Sequence, residues 1–179
     1  MSKRIRLWLI AALALCAAAA VGVTLSFMFK KAEKTNTFVP AEVTCKVEES
    51  LFSGVKSKVC VKNTGNAAAY LRIRLVSYYV YANGNIAGSV SSQYPALTLR
   101  NGWIAGADHT YYYPTPVEPD AKTGILCGPI TLDTVELADG TPVYQVLEVF
   151  AEAIQAEPVR AVQEAWNVTV SDTEITAAR

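Results

Sequence analysis

From residue 41 onward apolar and polar side chains alternate. In 41–49 (AEVTCKVEE), Val43, Cys45 and Val47 fall on one face and Thr44, Lys46 and Glu48 on the other, the period of a half-buried strand. Residues 55–62 (VKSKVCVK) alternate for part of their length after Gly54, and Asn63-Thr64-Gly65-Asn66 then supplies turn chemistry. The most regular stretch is 69–81 (AYLRIRLVSYYVY), with Leu71, Ile73 and Leu75 pointing one way and Tyr70, Arg72 and Arg74 the other. Asn83-Gly84-Asn85 reads as a hairpin turn, because Asn-Gly tolerates the positive φ that a tight turn needs. The pattern weakens over 85–110, which Gly88, Pro95, Gly102 and Gly106 interrupt, leaving a short run at 97–99. Tyr111-Tyr112-Tyr113 begins a strand that Pro114 and Pro116 stop. Residues 123–132 (TGILCGPITL) read as a strand interrupted at Gly128-Pro129, and 143–156 as a long strand between Asp139-Gly140 and Pro158.

One segment of this region has helical period. In 158–166 (PVRAVQEAW), Pro158 suits a first helical position, and Val159, Val162 and Trp166 share a face at i, i+3 and i+7. It precedes a final VTV at 168–170. About seven short strands with Gly/Pro turns and one short C-terminal helix predict a mostly β chain, an antiparallel β-sandwich over 41–179. No internal repeat or low-complexity stretch interrupts it.

The beginning of the chain follows a different rule. Residues 7–29 (LWLIAALALCAAAAVGVTLSFMF) contain no charge, follow Lys3, Arg4 and Arg6, and end at Lys30 and Lys31. A basic start, a long apolar run and a return to polar sequence mark residues 1–31 as a signal peptide or a transmembrane anchor. At about 1.5 Å per residue such a helix reaches across a hydrocarbon core of roughly 30 Å. Ala18/Ala20 or Thr24/Ser26 would serve a signal peptidase, so cleavage and retention both stand. Cys16 lacks the small residue of a lipoprotein box, since Leu15 precedes it, and reads as a small apolar residue. Either fate places the remainder outside the cytoplasm. Residues 32–40 read as an extended linker.

Setting this start aside changes the charge. The whole chain is neutral, but residues 1–34 hold six bases and one acid, leaving 10 bases and 15 acids over the remaining 145 residues. A mildly acidic domain of that size supports one core, and its charge argues against nucleic acid as a partner. It contains Cys45, Cys60 and Cys127, an odd number whose spacing matches no zinc pattern. Two states are open: a Cys45–Cys60 disulfide across neighbouring strands, or three small buried thiols.

Chemistry-bearing constellations are few. His109 is the only histidine, which excludes HExxH and any histidine pair on a metal. No serine lies in an elbow motif that would complete a triad with it, and Asp108 is merely its neighbour, so His109 reads as a solvated loop residue. Glu148 and Glu152 share a strand face with Tyr144, Val146 and Phe150; paired carboxylates suit acid–base work, but here they read as partners for Arg72, Arg74 or a lysine. No glycine loop cradles a phosphate. Catalytic residues, a metal and a cofactor are therefore not expected.

Two features suit contact. The nine tyrosines offer rigid area with a polar tip, although strand faces and core would absorb many of them. The polar stretch 33–40, and within it Thr35, Asn36, Thr37, Phe38 and Val39, can extend and add itself to a neighbour's sheet edge, or serve as a plain spacer.

Several blocks together resemble one family. Thr35-Asn36-Thr37-Phe38 leads to a strand with Val47-Glu48-Glu49, then to VKNTGNAAAYLRIRLV (61–76) and to Trp103. Tyr111-Tyr112-Tyr113 with its prolines, Thr123-Gly124-Ile125-Leu126, AEAIQA (151–156) and Ala165-Trp166 follow. In this order they resemble the TasA/camelysin family of exported proteins of Gram-positive, often spore-forming bacteria. The resemblance implies a jelly-roll-like β-sandwich, export through a dedicated signal peptidase, and a place in biofilm matrix fibres or the spore coat. Camelysin-like members are classed as metallopeptidases, but no zinc site is recognisable in this chain and no catalytic residue transfers. LSFMFKKAEK (25–34) lacks the alanine-containing cut site of the family, which favours a retained anchor through residues 7–29. The expectation is an exported, non-enzymatic structural protein that self-associates by strand addition. A membrane-tethered binding module using Tyr111–Tyr113, and a hydrolase using His109, are the alternatives.

Overall fold

Alternation over 69–81 produces a strand of the same length. In the computed structural model, which describes residues 40–178, strand β3 spans Ala69–Tyr81, with Leu71, Ile73 and Leu75 buried and Arg74 exposed. Its partner is β8, Pro142–Gln155, antiparallel along the whole of β3 from Ala69↔Gln155 to Tyr81↔Val143. Short strands extend this pair on both sides: β5 (Thr110–Tyr112) and β4 (Ile104–Ala105) beyond β3, and β7 (Thr134–Glu136) beyond β8.

A second sheet holds β1 (Cys45–Phe52), β2 (Val55–Asn63) and β6 (Ile130–Thr131). Lys58, at φ 58°, takes up one extra residue in β2 where the register jumps from Glu48↔Cys60 to Ser50↔Ser57. Val59 and Val61 of this sheet share one buried cluster with Leu71, Ile73, Leu75 and Leu147 of the other, joined by Trp103, Leu126 and Ile130. The principal core therefore draws on both sheets. All strand pairs are antiparallel.

The C-terminal segment closes part of the opposite face of the larger sheet. Helix α1 (Val159–Trp166) buries Val162 and Trp166, and the hairpin of β9 (Val168–Ser171) and β10 (Glu174–Ala178) follows. They pack on Tyr70 and Tyr112, and the Tyr70 hydroxyl donates to the Thr173 carbonyl at 2.7 Å.

Two expectations are corrected. Pro158 precedes the helix at its N-cap with extended ψ 142°, because the first helical residue is Val159. Of the strand expected over 123–132, Ile130–Thr131 alone is a strand. Leu126 and Cys127 remain buried, held by Leu126 N to Val59 O and the isolated bridge Leu99↔Cys127. Strand β10 has no counterpart in the sequence reading. The signal or anchor segment (1–31) and all but Pro40 of the linker (32–40) lie outside the described residues.

Candidate functional site

Among the described residues the longest strand, β8, has an edge without a partner strand. In β8 the amide of Gln145 donates to the Asp133 carbonyl at 2.9 Å, away from β3. Backbone groups alternate sides along an antiparallel strand, so Leu147, Val149, Ala151 and Ala153 point the same way. There β7 pairs with residues 142–144 only. Among the described residues no strand continues that ladder along 146–155. The side chains of Leu147, Val149, Ala151 and Ala153 face the core, so the edge borders apolar packing.

Strand β1 presents a second edge. The Glu42 carbonyl accepts from Asn66 N at 3.0 Å, and the Thr44 carbonyl accepts from Thr64 N and Gly65 N at 3.0 and 3.2 Å. Even-numbered backbone groups thus point toward β2, and those of Val43, Cys45 and Val47 point away from it. Among the described residues no strand pairs with that side of β1. Cα atoms of β1 and β8 come within 8 Å of each other. A strand hydrogen-bonded to both edges needs two spacings, about 9.6 Å, so edges that approach within 8 Å must part by at least about 1.6 Å to accept one.

The NTG block builds the corner where these edges begin. Asn63 is fully buried; its Nδ2 donates to the Ala67 and Val117 carbonyls at 2.8 Å each, and its Oδ1 accepts from Gly65 N at 2.9 Å. A Cβ on Gly65 would collide with the Glu42 carbonyl oxygen, so only glycine allows the close approach of 65 to the start of β1.

The thiols are free, and the register argues against a Cys45–Cys60 bridge. Cys45 pairs with Asn63, whereas Cys60 pairs with Glu48 three positions along. An odd offset on a ladder places the two side chains on opposite faces. Burial pushes all three thiols above their usual range, with Glu152 adding to the effect at Cys45 and Glu48 at Cys60.

Other candidate residues have structural partners. Arg72 binds Glu152 at 2.6 Å, and the Tyr78 hydroxyl donates to Glu148 at 2.7 Å. His109 is exposed at φ 56° in the β4–β5 turn, stacked on Tyr94 with ring centroids 3.4 Å apart. Tyr111 and Tyr113 pack against the principal core, and Tyr112 is buried under α1. Among the described residues no group of three or more His, Cys, Asp or Glu side chains is placed to hold a metal ion. The segment Thr35, Asn36, Thr37, Phe38 and Val39 lies outside the described residues.

No protein-family model matches this chain, and neither a curated protein nor a solved structure is significantly similar to it. Sequence reading did not anticipate the open edge of β8. Its one signal is the brevity of the TVE run (134–136) beside a partner of 14 residues.

Proposed function

We propose that this chain is an exported, non-enzymatic structural protein of the cell surface or matrix that adds to copies of itself through a sheet edge. The observation that carries this reading is the edge of β8 along 146–155, bordered by core-facing Leu147, Val149, Ala151 and Ala153. Edges left unpaired over this length can template strand pairing, and natural proteins cover them or use them. The donor is the segment Thr35-Asn36-Thr37-Phe38-Val39, close in sequence to β1. On this reading the two sheets form a jelly-roll-like sandwich, in keeping with the resemblance to the TasA/camelysin family. The charge-free run at 7–29 provides export and, if retained, a membrane anchor. Packing of Tyr111, Tyr112 and Tyr113 into the domain favours assembly over a ligand site built on them.

Deletion of residues 33–41 tests the proposal. The truncated chain is expected to remain a folded monomer that sediments as such and forms no fibres by electron microscopy. Fibre formation undiminished by the deletion overturns the reading.

A further inference from the structure

The tip of the β1–β2 hairpin is apolar and open. Phe52 is 83% exposed and Leu51 62%, beside Ser53 at φ 49° and Gly54 at φ 74°. Burying them inside the monomer would require the hairpin to fold back, which the regular pairing Phe52↔Val55 and Leu51↔Lys56 opposes. An exposed phenylalanine at a turn tip is shaped as an anchor for a pocket.

A pocket of suitable size lies at the other end of the same domain. Ala41, Ala67, Ala68, Gln155, Ala156 and Glu157 line a cavity of about 240 Å³. These residues lie before β1, before β3 and at the end of β8, where Cys45 pairs with Asn63 and Ala69 with Gln155. The tip lies at the far end of β1, seven residues beyond Cys45 and so about 23 Å away along the strand. A cavity of about 150 Å³ already accepts a benzene ring, so this one has room for a phenyl side chain.

Charge is complementary as well. Glu157 lines the pocket, and exposed Glu42 follows Ala41. The hairpin carries exposed Lys58, for which no ion pair is found among the described residues. It stands about 10 Å behind the tip, within a Debye length of the acidic rim once the tip is seated.

We infer that the Leu51–Phe52 tip of one copy seats in the Ala41/Ala68/Ala156 pocket of the next. Knob and pocket occupy different surfaces, so the contact is heterologous and propagates as an open chain instead of closing a dimer. A phenylalanine buries roughly 150–250 Å², well below the roughly 800 Å² per partner of a stable interface. The contact therefore reinforces a longitudinal assembly and is too small to hold two copies alone. It is independent of strand addition, since neither Leu51 nor Phe52 belongs to the donor segment or the β8 edge.

Disulfide trapping tests it on the full-length chain with its four native cysteines replaced by alanine. Chains carrying Ser53→Cys, which keeps Leu51 and Phe52, and Ala68→Cys are mixed under mild oxidation and compared with an Asn83→Cys and Ala68→Cys mixture, whose turn lies at the tip end. S53C is expected to cross-link to A68C about tenfold faster than N83C does. It should still outpace N83C in chains lacking residues 33–39, so failure of strand addition leaves this result standing. Equal rates for the two mixtures overturn the inference, as does an intramolecular F38C–A68C disulfide that shuts S53C out. Because Phe52 is exposed, Phe52→Ser leaves thermal unfolding unchanged, and it should raise the concentration needed for assembly about tenfold. An unaltered assembly threshold in F52S counts against the tip as well.

Discussion

The Arg72 guanidinium carbon lies 4.8 Å from the ring centroid of Trp166, joining the middle of β3 to the last turn of α1. The same group is 5.9 Å from the Tyr112 ring and 2.6 Å from Glu152. One side chain thus fastens the C-terminal helix to the outer face of the larger sheet. Trp166 is 5% exposed, and Trp166→Ala should cost about 3–5 kcal/mol through the cavity it leaves. Arg72→Lys keeps the charge but loses the planar fork, and should cost about 1 kcal/mol. Urea midpoints at unchanged m-value measure both; an Arg72→Lys chain as stable as the parent would mean that the clamp rests on charge alone.

Asn63 answers a different demand, that of closing a loop over a core. Its amide satisfies two carbonyls and one backbone amide at zero exposure. Asn63→Ala takes the side-chain donor from the Ala67 carbonyl, while the Val117 carbonyl still accepts from Ala69 N and Gly65 N still donates to the Thr44 carbonyl, and it should destabilise the domain by about 1–3 kcal/mol, the cost of one buried group left unpaired. Asn63→Asp replaces the donor with an acceptor facing two carbonyls and should be worse. Thermal unfolding of the two variants ranks them, and an aspartate milder than alanine would contradict this geometry.

These two sites also mark what the sequence discloses. Alternation at Leu71, Ile73 and Leu75 is dictated by one buried face, so β3 was legible to the residue. Val162 and Trp166 declared the helix in the same way, and Arg72–Glu152 was among the partnerships expected. Strand β9 answers to the VTV at 168–170, but β10 and its turn were not legible, because Asp172 and Thr173 carry φ of 48° and 68° without glycine or asparagine to announce the turn. The segment 123–132 misled because burial of Leu126 and Cys127 mimics a strand while Pro129 lacks the amide that would extend a ladder. An open edge is harder still. It reflects how far a neighbour extends, which no local pattern along β8 encodes.

The cysteine geometry makes a chemical prediction with a pH sign. A thiol whose pKa is raised stays protonated to higher pH, and the thiolate is the nucleophile. Alkylation of Cys45, Cys60 and Cys127 in the folded chain should therefore be slow at neutral pH and rise to half-maximal rate only above pH 9.0, the ordinary value. Cys60, half-exposed on the outer face, should react before buried Cys127. Intact mass after mild oxidation should show no Cys45–Cys60 disulfide within one molecule. A mass two hydrogen atoms lower, mapped to that pair, would show that the register of β1 on β2 is wrong.

Backbone parity separates the free edge of β8 from its paired edge by a single residue. The Ala151 amide points away from β3, whereas the Phe150 amide points toward Arg74, its partner in register. Proline at 151 removes a donor that only an added strand would use, and edge positions of this kind tolerate proline. Proline at 150 removes a ladder hydrogen bond and leaves a carbonyl unpaired, about 1–3 kcal/mol before any backbone strain. Ala151→Pro should keep native far-UV dichroism and cooperative unfolding yet fail to assemble, while Phe150→Pro should lower the unfolding midpoint. If A151P fibres form at the parental rate, the β8 edge is not where copies join. If A151P unfolds as readily as F150P, the two amides do not differ as this register requires.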